Sequence, residues 1–135
     1  MIQSKKIAVL NETVAYYSEN TLRRCIMDNG TCFYSGSKNE LTESGGCAIG
    51  RLLSKELSNL LDNEFTFNKY KGNGGCGTKA IFKKLPLEIQ DYGENFLREL
   101  QTLHDNNVFW RVNDLTIDGK KYVRDIKHKI LIDLI

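Results

Sequence analysis

Ile49, Leu52, Leu53, Leu57, Leu60 and Leu61 recur at helical spacing directly after the tight entry Gly45-Gly46-Cys47. An apolar stripe of that period predicts an amphipathic helix, which has to find a core to lie against. At about 100° per residue, Cys47 and Arg51 fall away from the stripe, one turn apart on the polar side. Ser54, Lys55, Ser58 and Asn59 lie outside it too. The rest of the chain reads as what this helix packs against.

Upstream, Asp28-Asn29-Gly30-Thr31 puts Asn-Gly at the centre of a two-residue loop, the strongest short-range signal for a hairpin. In that register Met27 faces Cys32 and Cys25 faces Tyr34. Residues 12–17 read as a short helix or an extended piece closed by a turn at 18–20. Residues 65–70 alternate like an edge strand, 72–77 form a glycine loop, 80–82 read as extended, and Leu85-Pro86 opens a new turn or helix. A second helix is expected over 93–104, with Phe96, Leu97, Leu100 and Leu103 inward. A cap region at 115–118 precedes a third helix over 119–134. Its inner face is Tyr122, Val123, Ile126, Ile130 and Leu134, and its outer face carries Lys120, Lys121, Arg124, Lys127 and Lys129. The expected fold is α+β: one domain over 1–135, with a small antiparallel sheet, including a β-hairpin at about 24–34, packed by about three helices.

The charge balance narrows the function classes. A net charge of +2 gives no global field toward nucleic acid or membrane, and no sequence-specific nucleic-acid partner is expected. Residues 65–87 hold no acidic side chain but include Lys69, Lys71, Lys79, Lys83 and Lys84. No segment approaches the ~20 apolar residues of a membrane span, and the apolar run at 7–10 is too short for a signal peptide. A cytoplasmic protein is expected, with Cys25, Cys32, Cys47 and Cys76 as thiols or metal ligands before disulfides.

Cys47 is the sharpest candidate for chemistry. A thiol at a helix start is stabilised as thiolate by unpaired N–H groups and the macrodipole, with Arg51 adding charge. His104, at the edge of its apolar face, is the candidate base, although a histidine there is more often a hydrogen-bonded core residue. Asp105 points away and is not expected to orient the ring of its own neighbour. Zinc is the competing use of Cys25, Cys32, Cys47 and His104, but no C-x-x-C spacing supports it. Residues 72–79 approach a phosphate loop with Thr78 and Lys79 in the wrong order, so an NTPase is rejected. A looser anion site at Lys69, Tyr70, Lys71 and Lys79, with Arg51 and Tyr34, suits a nucleotide through charge for phosphate and ring for base. Its bland counterpart is an edge strand with solvated lysines.

Tyr16-Tyr17-Ser18, Arg23-Arg24, the segment 28–34 (DNGTCFY), 46–51 (GCAIGR), Leu100-Gln101 and Leu103-His104-Asp105 together resemble a group of small proteins of bacteriophages and bacterial genomes. Their pattern is C-x-Y, then C-A-[VI]-G, then L-Q-x-x-H-D. The resemblance singles out Cys32, Tyr34, Cys47, Gly50, His104 and Asp105, and leaves out Cys25 and Cys76. It brings no activity with it. It implies a phage accessory role, anti-defence among them, in the host cytoplasm. Three readings follow. The first is a non-enzymatic protein that binds a host protein or a small anionic, nucleotide-like ligand. The second is a cysteine hydrolase or transferase using Cys47 and His104, with Asp105 beside them. The third is a structural domain, with or without zinc and otherwise without cofactor.

Overall fold

The computed structural model describes residues 2–24, 47–61 and 78–135. The predicted hairpin at about 24–34, apart from Arg24, the edge strand at 65–70 and the glycine loop at 72–77 lie outside them.

The chain enters through helix α1, Ile2–Glu19, and a 3₁₀ turn at Thr21–Arg23. The buried face of α1 is Lys6, Leu10, Thr13 and Tyr17. Two of those four are polar, which is why apolar counting finds no stripe before residue 12. Both are satisfied inside: Lys6 Nζ donates to Ile135 O at 2.9 Å, and Thr13 Oγ1 donates to Val9 O at 2.7 Å. The helix-or-extended piece expected at 12–17 is thus the second half of an 18-residue helix.

The continuous helix expected from Ile49 to Leu61 is broken. Residues Gly50–Leu52 form a 3₁₀ turn, Leu53 is extended, and helix α2 runs over Lys55–Leu61. Ser54 causes the break by capping: Leu57 N–H donates to its Oγ at 3.2 Å, and Ser58 N–H to its carbonyl at 3.0 Å. The rotation that follows turns Ser58 inward, where its Oγ donates to Gly50 O at 3.3 Å, and leaves Leu60 63 % exposed. Of the predicted stripe, Ile49 and Leu61 are buried and Leu52, Leu53 and Leu57 pack against the core, while Leu60 leaves it.

Residues 80–82, expected to be extended, continue helix α3, Thr78–Ile81, into a 3₁₀ turn over Phe82–Lys84. Pro86 then starts helix α4, Leu87–Gln90, as the sequence suggested. Helix α5, Glu94–Asp105, buries Phe96, Leu97, Leu100, Leu103 and His104, the expected inner face. Its entry is Gly93, at φ +89°, a backbone conformation that favours glycine.

After α5 comes a hairpin that was not predicted. Strand β1, Trp110–Arg111, pairs antiparallel with β2, Asp114–Leu115, in the register Trp110 to Leu115 and Arg111 to Asp114. Its turn places Asn113 at φ 56°, a conformation asparagine tolerates better than most residues. That turn is tied to the end of α1. Asn113 N–H donates to Thr21 Oγ1 at 3.2 Å, and Thr21 N–H to Asn113 Oδ1 at 3.3 Å.

Helix α6 spans Ile117–Leu131. Its cap is Thr116, whose Oγ1 accepts from Gly119 N–H at 3.0 Å and donates to Val108 O at 2.6 Å. Thr116→Ala is expected to cost about 1–2 kcal/mol in urea unfolding; an unchanged midpoint would show that the cap contributes nothing. The helix stops short of the predicted residue 134. Asp133, at φ 60°, turns the chain so that its N–H reaches Ile130 O, while Leu134 N–H reaches Lys129 O at 2.8 Å. Leu134 is exposed in consequence, not on the inner face.

The fold is α+β: helices with a small two-stranded antiparallel sheet. α1 packs on α6, on β2 and on α5, and α3 packs on α5. One contiguous core holds Leu10, Tyr17, Ile49, Ile81, Phe96, Leu100, Ile126 and Ile130. Among the described residues no helix is long and apolar enough to cross a membrane.

Candidate functional site

Two of the residues that the sequence singled out, Arg51 and His104, pack against the Tyr17 ring. Tyr17 is fully buried on α1. His104 meets it edge-on with ring centroids 5.0 Å apart, and Trp110 does so at 6.0 Å. The Arg51 guanidinium lies 5.7 Å from the Tyr17 centroid and 4.1 Å from that of Tyr16. Arg23 stacks on Tyr16 at 4.6 Å, and Arg24 lies 5.5 Å from the Trp110 ring. The result is a cluster of guanidinium groups and aromatic rings, an arrangement stabilised by cation–π attraction.

The 47–50 turn is docked onto α5 by one side chain. Gln101 Oε1 accepts from Ile49 N–H at 3.4 Å, and Gln101 Nε2 donates to Asp105 Oδ1 at 2.8 Å. The same Oδ1 lies 2.8 Å from His104 Nδ1. The C-A-[VI]-G and L-Q-x-x-H-D segments, far apart in sequence, are thus one hydrogen-bonded unit. Asp105 does orient the ring of its neighbour, contrary to the helical-angle argument. Nδ1 sits close to the backbone, and Gln101, one turn earlier, holds the carboxylate at the right side.

Cys47 is a free thiol, 1 % exposed, and does not lie on a polar helix face. The break before α2 removes the helical frame on which that placement rested. Its Sγ accepts from Gly50 N–H at 3.4 Å. It shares no hydrogen bond with His104, whose Nε2 has no partner. Cys47 and His104 are linked indirectly, through Ile49, Gln101 and Asp105.

Arg51 is 12 % exposed. Its Nη2 is paired with the Glu12 carboxylate, while Nη1 is buried with no acceptor. Leaving a buried donor or acceptor unmet typically costs about 1–3 kcal/mol. The unpartnered buried side-chain atoms among the described residues are these two, Arg51 Nη1 and His104 Nε2. Burial holds the His104 pKa below its usual 6.5. The hydrogen bond and charge of Asp105 oppose that shift, and Arg24 and Arg51 reinforce it. The ring is therefore neutral at pH 7. With Asp105 accepting at Nδ1–H, Nε2 carries the lone pair.

Beside Asp105 an open hollow of about 500 Å³ is lined by Thr102, Asp105, Asn106, Asn107 and Val108. Arg24 donates from Nε to His104 O at 2.8 Å and from Nη2 to Asn107 Oδ1 at 3.0 Å.

Of the other predicted site residues, Cys25, Cys32, Tyr34, Lys69, Tyr70 and Lys71 lie outside the described residues, as does Cys76, and Lys79 falls within α3. Among the described residues no group of three His, Cys, Asp or Glu stands close enough to hold a metal ion. Sequence reasoning missed Tyr17, Gln101, Arg24 and Glu12 as parts of the cluster. Gln101 stood in the L-Q-x-x-H-D motif, and Tyr17 and Arg24 in the segments quoted for the resemblance, but nothing local gave them a role. Comparison with protein-family models, with curated proteins and with solved structures finds no match to this chain.

Proposed function

We propose that this is a non-enzymatic binding protein of the phage-accessory kind, recognising a small anionic, nucleotide-like ligand at the Arg51–Tyr17 cluster. The observation that carries the reading is Arg51 Nη1, a buried cationic donor with no acceptor. Charge-assisted hydrogen bonds to phosphate or carboxylate are among the strongest a protein makes, and guanidinium groups suit them geometrically. The half-buried Tyr16 ring, 4.1 Å from the Arg51 guanidinium, is the aromatic surface that a base can use. The closed position of Cys47 favours binding over nucleophilic chemistry, because the sulfur is turned into the core.

The hydrolase reading keeps one support. A histidine whose Nδ1 is held by a carboxylate is the arrangement that orients a general base. The two readings part at Cys47: under the binding reading Cys47→Ser keeps ligand affinity, whereas under the hydrolase reading it abolishes turnover.

The test is calorimetric titration with adenine nucleotides of the wild type, of Arg51→Met, and of the double charge reversal at Lys71 and Lys79. Arg51→Met is expected to weaken binding tenfold or more, in line with about 1.5–3 kcal/mol for a hydrogen bond to a charged group. The charge reversal is expected to weaken it too. Equal affinity in the wild type and Arg51→Met would rule the site out.

A further inference from the structure

We infer that the outward face of helix α6 is a docking surface for an acidic amphipathic helix of a partner protein. The inference is independent of the ligand reading above, which concerns the Tyr17 cluster.

Ile117, Lys121, Arg124, His128 and Leu131 are separated by alternating steps of four and three residues. At about 100° per residue they share one side of α6. All five are exposed, Ile117 by 85 % and Leu131 by 62 %. The opposite side is Gly119, Val123, Ile126 and Ile130, which are buried. The outward face is therefore cationic along its middle and aliphatic at both ends. The ends stand about 21 Å apart, at a rise of about 1.5 Å per residue. Ile132 and Leu134, exposed just past Leu131, enlarge the far end.

The cations of this face are not spent inside the fold. Lys120 pairs with Asp114 at 3.8 Å and Lys129 with Glu99 at 3.6 Å. Among the described residues no carboxylate pairs with Lys121, Arg124 or Lys127. The complement of such a surface is acidic in the middle and apolar at the ends. A helix supplies it directly, because its own side chains recur at the same spacing and it can lie along the row.

Other occupants match the face less well. Any two-fold pairing of two copies sets the cationic middle against itself. An anionic membrane would also meet Asp118 and Asp125, which border the face on the side away from Lys120 and Lys127. A nucleic-acid backbone pairs with the cations but offers no apolar contact to Ile117 and Leu131.

The experiment titrates the full chain into a labelled synthetic helix of about 18 residues, with leucines at the separation of Ile117 and Leu131 and glutamates on the turns between. Fluorescence anisotropy reads the affinity. Binding is expected at about 0.05 M salt, and is expected to weaken tenfold or more at about 0.5 M. Lys121→Glu with Arg124→Glu is expected to weaken it tenfold or more, and so is Ile117→Ser with Leu131→Ser. All four positions are exposed, so each double variant is expected to keep the circular dichroism of the wild type. Should the charge reversal fail to fold, Lys121→Gln with Arg124→Gln is expected to weaken binding in the same direction. Arg51→Met is expected to leave peptide affinity unchanged, which separates this surface from the Tyr17 cluster. Failure of the acidic helix to bind, equal binding of its glutamine counterpart, or equal affinity in the charge-reversed variant overturns the inference. Tighter binding to phosphatidylserine vesicles or to single-stranded DNA overturns it in favour of that partner. A dimer in sedimentation that dissociates in Leu131→Ser assigns the face to a second copy instead.

Discussion

Gly119→Ala is expected to lower the melting temperature by roughly 10 °C. Gly119 lies in the first turn of α6, where a Cβ would stand 2.1 Å from Phe109 O and 3.0 Å from Leu115 Cδ2. The near atom is a backbone carbonyl and cannot swing aside. Thr116 N–H already donates to it at 2.9 Å, so moving it breaks the connection between the hairpin and the helix start. Overpacking costs about 1–3 kcal/mol where side chains can yield, and a fixed carbonyl puts this site at about 3 kcal/mol. A shift of about 4 °C per kcal/mol in a domain of this size gives the figure above. The effect reaches the Tyr17 cluster through Trp110, whose indole N–H donates to Leu103 O at 2.7 Å beside His104. Gly93→Ala is the comparison. A Cβ there meets nothing within 4 Å, so its cost is the positive φ alone. Thermal unfolding of both variants, followed by circular dichroism, checks this. If Gly119→Ala melts with the wild type, the close approach of α6 to Phe109 is wrong.

How much of this was legible in the sequence depends on who supplies the hydrogen bonds. Helix α5 was legible because its inner face is apolar and its period is clean. α6 was legible for the same reason, and the cap at Thr116 announced where it starts. α1 was half-missed because Lys6 and Thr13 occupy inner positions, with partners at Ile135 and Val9 that no local pattern announces. The helix predicted from Ile49 to Leu61 shows the opposite error. Leucine spacing alone predicts one continuous helix, whereas Ser54, a good N-cap in mid-run, starts a new one. That one cap starts a new helix, buries Ser58 and with it the Cys47 turn, and so moves Cys47 from a presented nucleophile to a core thiol. The pairing of His104 with Asp105 was out of reach because it depends on Gln101, and the role of Gln101 depends on the 47–50 turn lying against α5. The α+β class survived these errors because it rests on the kind of elements, not on their number or phase.

The stability of the wild type is expected to fall as pH drops below 6.5, and the His104→Gln variant is expected to lose that dependence. The imidazole pKa is held below 6.5 in the fold, first by burial and then by Arg24 and Arg51, against Asp105. In the unfolded chain the ring returns to an ordinary value near 6.5. Between these two values the unfolded state binds the proton and the folded state does not, so stability decreases as pH falls. The loss begins at the unfolded value and ends at the lowered folded one, with a slope of up to about 1.4 kcal/mol per pH unit. Above 6.5 the ring is neutral in both states and contributes no slope. A ring that did take the proton in the fold would place a second N–H at Nε2, where no acceptor waits, facing Arg51, Arg24 and the Tyr17 ring, with Asp105 alone to balance the charge. Relief comes by expelling the ring, which would loosen the Asp105–Gln101–Ile49 connection and uncover Cys47. The measurement is urea unfolding at intervals from pH 7.5 to 5, together with the reaction of Cys47 with an acid-tolerant disulfide reagent such as dithiodipyridine. The expected result is a midpoint that declines below 6.5 and a Cys47 that reacts faster as it does, both flattened in His104→Gln. A slope that persists unchanged in the variant would assign the pH dependence to other groups and remove His104 from the account.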